Sequence, residues 1–171
     1  KLYKYFELNY VMISIVIPAY NEADYIEKTL TQIPNDIEKI VVCNGCTDDT
    51  EKIAKKYAKV YSIKNKGVSL ARNYGGMKAT GDLIVFLDAD TSISNKLLNR
   101  LSKIKNENVF GTCKVKPDSK KVLAKIYCSL KNIIGLLGIH NSSGMIFCTK
   151  DIFNNVKFDE KRTKHENQGF S

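Results

Sequence analysis

The sequence lacks several features that would place it in a class of protein at once. Its 171 residues include three prolines, and they contain no internal repeat and no low-complexity linker. No apolar run approaches the roughly 18 residues that a membrane-spanning helix requires. These absences argue against a repeat or transmembrane architecture, and they predict one compact domain that is soluble or peripheral to a membrane.

Cysteines are too few for a zinc or disulfide framework. Of the five cysteines, Cys43 and Cys46 form one Cys-x-x-Cys, and no second such pair and no His-x-His partner follows. A structural zinc site takes four protein ligands, so this pattern disfavours zinc. We therefore expect reduced thiols and a cytoplasmic protein, either free or held at the inner face of the membrane.

The chain has an excess of basic residues, with a formal net charge of +9. Such a charge favours an anionic partner, which could be a nucleic acid, an anionic membrane or a phosphorylated substrate. The lysines are scattered along the chain, however, as is typical of solvated helix faces. We expect phosphorylated substrates and no nucleic acid.

Strand and helix patterns alternate along the chain at the spacing of βαβ units. The predicted strands are 13–17, 37–43, 60–63, 83–87, 109–115 and 145–148. The predicted helices are 21–32, 47–57, 69–79, 95–105 and 119–137, the third weakened by Gly75 and Gly76. This alternation predicts an α/β fold with a mostly parallel, doubly wound sheet and helices on both of its faces.

Polar residues set the predicted starts of the first two helices. Asn21 is expected to cap the first helix, with Asp24 three positions on as its capping-box partner. Thr47 or Asp48 is expected to cap the second helix.

The most informative stretch is DLIVFLDAD, residues 82–90. Five apolar residues, Leu83–Leu87, predict a strand buried on both faces, and they run directly into Asp88 and Asp90. Aspartates that alternate at the mouth of a buried strand supply the oxygen ligands that Mg²⁺ and Mn²⁺ take together with substrate phosphates. We therefore predict a divalent metal site. The alternative is that these aspartates only cap the helix that follows.

Three predicted strands, which end at Pro18, Cys43 and Asp88, should place the loops that follow them side by side at one edge of the sheet. Those loops carry Tyr20-Asn21-Glu22, 44–49 and 88–90. The crevice between them is rich in carboxylates and therefore suited to a cation. The first loop contains PAYNEA rather than Gly-x-Gly-x-x-Gly, and the chain has no Gly-Lys-Ser/Thr, so neither a dinucleotide-binding fold nor a P-loop is expected.

Three longer segments carry a resemblance to a known family. They are SIVIPAYNEADYIEKTL, KGVSLARNYGGMKATGDLIVFLDAD and SSGMIFCTKDIFNNVKFDE. In order and spacing they resemble the glycosyltransferases of family 2, which have the GT-A fold, a Rossmann-like sheet. We expect residues 1–11 to be an N-terminal extension, native or not, and residues 12–171 to form one domain of this type, complete or short at its C-terminus.

The resemblance implies an enzyme that moves a sugar from a nucleoside-diphosphate sugar to an acceptor, with inversion in most members. The donor is expected to be a UDP- or GDP-sugar, and the acceptor a saccharide or a lipid-linked group. The cofactor implied is Mn²⁺ or Mg²⁺, because a divalent ion stabilises the diphosphate leaving group.

Individual positions carry over from the family's motifs. Donor-binding roles are implied for Pro18, Ala19, Tyr20, Glu22, Asn44, Arg72, Asp88, Ala89, Ser143 and Gly144. Metal-binding roles are implied for Asp88 and Asp90, with Asp90 as the main ligand.

The chain departs from the family pattern in two places. Members commonly have Asp-Asp-Gly-Ser after the second strand, where an aspartate bonds the nucleobase. Here the sequence is Cys-Asn-Gly-Cys, and Asn44 offers both a donor and an acceptor. Near the end, members often carry Glu-Asp, whose aspartate deprotonates the acceptor, whereas this chain has His165-Glu166-Asn167.

Since an asparagine cannot take a proton, Glu166 is the predicted general base, with His165 as the alternative. Two other functions stay open at this point. The chain could be a nucleotide-sugar-binding module with little or no activity, as Asn167 suggests. A nucleotidyltransferase also uses an α/β sheet with acidic metal ligands.

The segment 119–139 has apolar residues at helical spacing and lysines elsewhere around the helix. Such a helix could simply pack on the sheet. It could instead lie on an anionic membrane and present a lipid-linked acceptor, which would be a peripheral membrane contact.

Overall fold

The computed structural model describes residues 10–104, 108–113, 116, 128–129 and 144–161. The strands within these ranges are β1 (Ile13–Ala19), β2 (Glu38–Asn44), β3 (Lys59–Ile63), β4 (Leu83–Leu87), β5 (Phe110–Thr112) and β6 (Met145–Thr149). The helices are α1 (Ile26–Thr31), α2 (Thr50–Ala54), α3 (Val68–Lys78), α4 (Asn95–Leu101) and α5 (Lys150–Asn155). The described strands form one sheet in the order β3-β2-β1-β4-β6-β5.

The sheet is parallel over four strands and antiparallel at one side. β1 pairs in parallel with β2 and β4, and β2 pairs in parallel with β3. β6 runs antiparallel to both β4 and β5. The predicted α/β fold with a mostly parallel sheet is therefore confirmed. The reversal of β6 has a consequence for the site: Met145 pairs with Leu87, so the residue before β6 lies beside the carboxyl end of β4.

Two hydrophobic cores cover the two faces of the sheet, because alternate strand residues point to opposite sides. On one face, Ile15, Ile17 and Val85 pack with residues of α1, α2 and α4. On the other, Val16 and Phe86 pack with residues of α3 and α5. This arrangement confirms helices on both faces and buries the central strands completely.

The two glycines of α3 allow a close approach rather than simply weakening the helix. A Cβ atom on Gly75 would lie 2.3 Å from Cγ1 of Val16 in β1. A Cβ atom on Gly76 would lie 2.3 Å from Cζ of Phe153 in α5. Any larger side chain would push α3 away from its neighbours, so packing accounts for this pair.

The predicted helix starts were wrong. α1 begins at Ile26 after Tyr25, and neither Asn21 nor Asp24 caps it. α2 begins at Thr50 after Asp49, although the predicted Asp48 does accept a hydrogen bond from the Thr50 N–H at 3.0 Å. The first prediction failed because the residues from Asn21 onward form a loop whose polar groups bind a neighbouring loop instead of a helix.

Other predicted elements differ in extent or fall outside the described residues. α5 was not predicted. The predicted strand 109–115 is three residues long, Phe110–Thr112, within the part of the chain that is described. The predicted helix 119–137, and with it the proposed membrane contact, lies outside the described residues apart from 128–129. In the described part of the chain, no helix has the length and apolar character needed to cross a membrane.

A hydrogen-bond network around Glu38 joins strands at the amino edge of the sheet. The Glu38 carboxylate accepts hydrogen bonds from the Ser14 hydroxyl, from Lys59 Nζ at 2.9 Å and from the Thr80 N–H at 2.8 Å. Burial of the carboxyl group opposes ionisation, but these donors outweigh it and lower the pKa of Glu38 to about 2. The network therefore stabilises the ionised form of Glu38.

We expect this network to make the free energy of unfolding pH-dependent. Because the pKa of Glu38 is lower in the folded state, its contribution is fully present above its usual pKa of 4.5 and is lost as the pH falls towards 2. Allowing for solvent screening, the contribution is about 1–2 kcal/mol. Urea titrations of Glu38→Gln and wild type should differ most at pH 7 and converge near pH 2. Asp36→Asn, which changes an exposed carboxylate nearby, is the control and should unfold with nearly the wild-type free energy at either pH. If Glu38→Gln and wild type differ by the same free energy at pH 7 and near pH 2, the assignment is wrong.

Candidate active site

The carboxyl edge of the sheet brings together loops that lie far apart in the sequence. The loop after β1 is tied by several hydrogen bonds to the loop after β2 and the start of α2. The N–H of Thr47 donates to Asn21 Oδ1 at 2.8 Å, and the N–H of Ala23 donates to Asp48 Oδ2 at 3.2 Å. The N–H of Glu22 donates to Thr50 Oγ1 at 2.7 Å. The predicted convergence of these loops is therefore present in the structure.

Asn21 has a structural role that the sequence pattern did not reveal. Its backbone φ of 55° lies in the left-handed region, which asparagine tolerates better than most residues. Besides accepting from the Thr47 N–H, its amide Nδ2 donates to Thr47 Oγ1 at 3.1 Å. An asparagine three positions after the proline near the end of a strand is the sequence signal that could have indicated a loop residue of this kind.

Arg72, on α3, forms an ion pair with Asp88 at the end of β4. One guanidinium nitrogen lies 2.9 Å from Asp88 Oδ1, and the arginine side chain is only 3% exposed. The guanidinium carbon also lies 5.3 Å from the centre of the Phe158 ring. A buried arginine held between a carboxylate and an aromatic face fixes the position of that carboxylate. Arg72 therefore orients Asp88, and its predicted role in donor binding stays a prediction.

We expect Arg72→Lys to loosen Asp88. A lysine ammonium lacks the planar fork of arginine, so it cannot keep the same contacts with both the carboxylate and the Phe158 ring. Because Asp88 is partly exposed, the loss in stability should be about 1–3 kcal/mol, below that for a fully buried pair. Urea unfolding measures this change. An equal loss in Asp88→Asn, and no further loss in the double variant, would show that the two residues act as a unit. Additive losses would contradict it.

Asp90 is the third residue beyond β4 and is exposed. Its Oδ1 accepts a hydrogen bond from the Thr91 hydroxyl at 3.2 Å. Gly144, with φ +76°, packs against this threonine, and a Cβ atom there would lie 2.6 Å from Thr91 Oγ1. The carbonyl of Gly144 also accepts from the Asp88 N–H at 2.9 Å. Any residue larger than glycine would clash with Thr91 at this position.

The small residues of the two site loops contribute backbone rather than side chains. Pro18 and Ala19 end β1 and are buried. Ala89 is 3% exposed, and its carbonyl accepts a hydrogen bond from the Thr29 hydroxyl at 2.6 Å. The side chain of Ala89 faces the core, which leaves the side chains of Asp88 and Asp90 at the crevice.

The crevice is electrostatically negative. Burial raises the pKa of Glu22 above its usual value, and the charges of Asp90, Asp48 and Asp88 raise it further. The charge of Glu22 is therefore repelled by the charges of the three aspartates. A cation bound among them would relieve that repulsion.

The residues present fit a divalent ion that also binds a substrate. No group of three or more histidine, cysteine, aspartate or glutamate side chains in the described ranges forms a complete metal cage. Mg²⁺ and similar ions commonly take one or two carboxylates and complete their shell with water and substrate phosphates. Asp90 is exposed at the crevice, and Asp88 has one oxygen committed to Arg72. Asp90 is thus the better placed ligand.

Neither aspartate caps the following helix, which was the alternative to a metal site. α4 begins at Asn95, and its N-cap is Ser94, whose hydroxyl accepts from the Leu97 N–H at 3.3 Å. Asp88 and Asp90 precede this cap and take no part in it.

The other half of the crevice is built from the end of β2 and the start of α3. Asn44 is 2% exposed, and its amide Nδ2 donates to the Gly67 carbonyl at 3.2 Å. Its Oδ1 and the hydroxyl of Ser69 are buried polar atoms without a hydrogen-bond partner among the described residues. Buried polar atoms of this kind are available to a ligand.

The Cys43 thiol beside Asn44 is in its protonated form. All five cysteines are free. Burial raises the pKa of Cys43 well above its usual range, and the adjacent Cys46 raises it further. The Cys46 thiol donates to the Ala19 carbonyl at 3.3 Å. The Cys46 thiol thus links the loop after β2 to the end of β1.

A cavity of about 760 Å³ lies at the opposite, amino edge of the sheet. Tyr10, Met12 and Leu98 line it together with Ser14 and Glu38. Its carboxylate Glu38 is already bound by the network described above, whereas the carboxylates at the carboxyl edge repel one another. We therefore place the candidate active site at the carboxyl edge.

Several site predictions fall outside the described residues. They are Ser143, His165, Glu166 and Asn167.

Comparison with known proteins finds a family model that matches most of the chain. A family model described as "Glycosyl transferase family 2" matches residues 14–158. Among curated relatives, EpsJ of Bacillus subtilis strain 168, named as an uncharacterised glycosyltransferase, is 36% identical over 107 residues. The match covers 57% of this chain and 31% of EpsJ. This chain thus spans about a third of that relative's length.

Solved structures share the fold. Staphylococcus aureus TarS, in complex with UDP-GlcNAc, has a TM-score of 0.69 and 21% identity over 92% of this chain and 51% of TarS. The mannosyltransferase PcManGT of Pyrobaculum calidifontis, in complex with GDP-Man and Mn²⁺, has a TM-score of 0.69 and 19% identity over 92% of this chain and 50% of its own. The fold is the GT-A fold that the sequence resemblance implied.

Proposed function

Because the chain belongs to glycosyl transferase family 2, we propose that it moves a sugar from a UDP- or GDP-sugar to an acceptor, with Mn²⁺ or Mg²⁺ as cofactor. The observation that carries the proposal is the exposed Asp90 beside an Asp88 that Arg72 holds in place. TarS with UDP-GlcNAc and PcManGT with GDP-Man and Mn²⁺ have the same fold and support it.

In the proposed complex, different residues of this chain bind different parts of the donor. Asp90 would hold the divalent ion, with Asp88 in support. When bound, such an ion stabilises the charge that builds up on the diphosphate as the sugar bond breaks. The loop at Gly144 would lie beside the sugar, because its carbonyl binds the Asp88 N–H.

The nucleoside would lie towards β1 and β2. Tyr20 is 40% exposed and offers an aromatic face for a base to stack on. Asn44 Oδ1 is a buried acceptor that has no hydrogen-bond partner among the described residues. Uracil and guanine both carry a ring N–H that such an acceptor can bind, whereas the ring nitrogens of the Watson–Crick edges of cytosine and adenine are acceptors themselves. This preference supports UDP or GDP as the leaving group.

The acceptor half of the reaction rests on the sequence alone. We propose a saccharide or lipid-linked acceptor, with inversion at the sugar carbon and Glu166 as the base that takes the acceptor proton. The chain spans about a third to a half of the proteins compared above, so the acceptor is the least constrained part of the proposal.

A screen of nucleotide sugars tests the proposal. With Mn²⁺ present, the true donor at 100 times its Kd should add about 2.7 kcal/mol to the free energy of unfolding. Release of nucleoside diphosphate on addition of an acceptor would establish transfer. Binding without release would identify a binding module, and release of pyrophosphate would identify a nucleotidyltransferase. Absence of binding to every UDP- and GDP-sugar would refute the proposal.

A further inference from the structure

Lys66 lies in the loop after β3 and reaches across the carboxyl edge of the sheet. Its ammonium group donates a hydrogen bond to the Tyr20 hydroxyl and lies 4.4 Å from the centre of the Tyr20 ring. Lys66 thus connects the loop after β3 to the loop after β1. Nothing in the sequence distinguishes it from the other scattered lysines.

The path of the Lys66 side chain depends on a glycine. A Cβ atom on Gly45 would lie 3.2 Å from Lys66 Cγ, closer than ordinary contact, and Gly45 has a φ of +79°. The Gly45 N–H also donates to the Ile63 carbonyl at 2.8 Å, which holds the loop after β2 against the end of β3. The lysine stem therefore crosses directly over Gly45, the residue that follows Asn44.

Lys66, Gly45 and Tyr20 together form the end of the crevice that lies away from the aspartates. Asp88 and Asp90 follow β4, on one side of β1, whereas Gly45 and Lys66 follow β2 and β3, on its other side. A nucleoside diphosphate whose phosphates face Asp90 would therefore extend its base towards Tyr20 and Asn44. The Lys66 ammonium lies at the hydroxyl end of the Tyr20 ring, where its hydrogen bond and its charge restrict the ring.

We propose that Lys66 is a positioning residue for the donor nucleotide, which holds the Tyr20 ring at its hydroxyl end so that a face of the ring can receive the nucleobase. The inference rests on the proposed function, because it assumes that a nucleotide occupies the crevice. Lys66 acts through Tyr20 and need not touch the phosphates. Removing it should weaken binding of the base without unfolding the protein.

Binding titrations of UDP, GDP, uridine and guanosine test the proposal. Lys66→Met keeps the stem over Gly45 but removes the charge. This change should weaken the binding of both the diphosphate and the nucleoside that wild type prefers. The loss of affinity should be similar for the two, about three- to tenfold for a partly desolvated contact. Lys66→Arg, which keeps a cation that can reach the hydroxyl end of the ring, should restore binding. Lys64→Met, a change at an exposed lysine two residues away, should leave binding unchanged.

A double-mutant cycle with Tyr20→Leu shows whether the effect passes through the ring. Once the ring is removed, Lys66→Met should cost no further affinity, whereas additive losses would overturn the proposal. A loss confined to the diphosphates would also overturn it, because it would indicate a direct phosphate contact. If Lys66→Met binds as wild type does, this inference fails and the proposed function stands. If wild type binds no nucleotide in the presence of Mn²⁺, both fail.

Discussion

Asp90→Asn is expected to abolish metal-dependent donor binding while leaving the fold intact. The side chain is exposed, and the hydrogen bond from Thr91 can be made to an amide oxygen as well as to a carboxylate. Replacing a residue that merely orients a ligand costs about 10- to 100-fold in metal affinity, so loss of the main ligand should cost at least about 100-fold. Asp88 cannot compensate, because Arg72 holds one of its oxygens at 2.9 Å.

Calorimetric titration of UDP and GDP, with Mn²⁺ and with a chelator, measures this effect. Wild type should lose affinity when the metal is removed, and Asp90→Asn should bind weakly under both conditions. Asp151→Asn, which neutralises an exposed carboxylate on α5, is the matched control and should behave as wild type. If Asp90→Asn keeps the wild-type response to chelator, then another group holds the ion and the assignment is wrong.

The sheet could be predicted from the sequence because its strands have a strong local signal. The strand 83–87 was predicted with the bounds that β4 has, since five apolar residues stand between a glycine turn and a carboxylate. β4 is buried on both faces, and a continuous apolar run is the pattern of such a strand. The reversed β6 could not be predicted, because the direction of a strand depends on a connection whose length and path carry no local signal.

The ends of the helices could not be predicted, because tertiary contacts determine them. Asn21 has the composition of a helix cap, yet its side chain binds Thr47, twenty-six positions away. α5 follows β6 without a turn signal, and its Phe153 packs in the core on Phe86. In each case a contact with a distant part of the chain outweighed the local preference.

The site was predicted at the level of loops but not of contacts. Convergence of strand ends follows from parallel topology alone, so Asp88, Asp90 and Asn44 could be placed at one edge in advance. The pairing of Arg72 with Asp88 could not, since it depends on how α3 crosses the sheet. The contact of Lys66 with Tyr20 likewise depends on the packing of side chains over Gly45.

Glu166→Gln is the second change for which we expect a large effect. A general base contributes about 10²- to 10⁴-fold to the rate, so turnover should fall by that factor while the Kd of the donor stays the same. Described residues that lie close to Glu166 in the sequence are hydrogen-bonded to α3. Asn73, beside Arg72 on α3, accepts from the Phe158 N–H and donates to the Phe158 carbonyl, each at 2.9 Å. The same asparagine binds Glu160 Oε1 at 2.7 Å.

These bonds hold the chain at Glu160 beside the element that orients Asp88. Six residues then lead to Glu166, and an extended chain of that length spans at most about 20 Å. Single-turnover rates at saturating donor would isolate the chemical step, with Glu27→Gln, an exposed glutamate of α1, as the matched control. His165→Gln should have little effect if Glu166 is the base. Wild-type rates in Glu166→Gln, with a collapse in His165→Gln, would assign the proton transfer to the histidine instead.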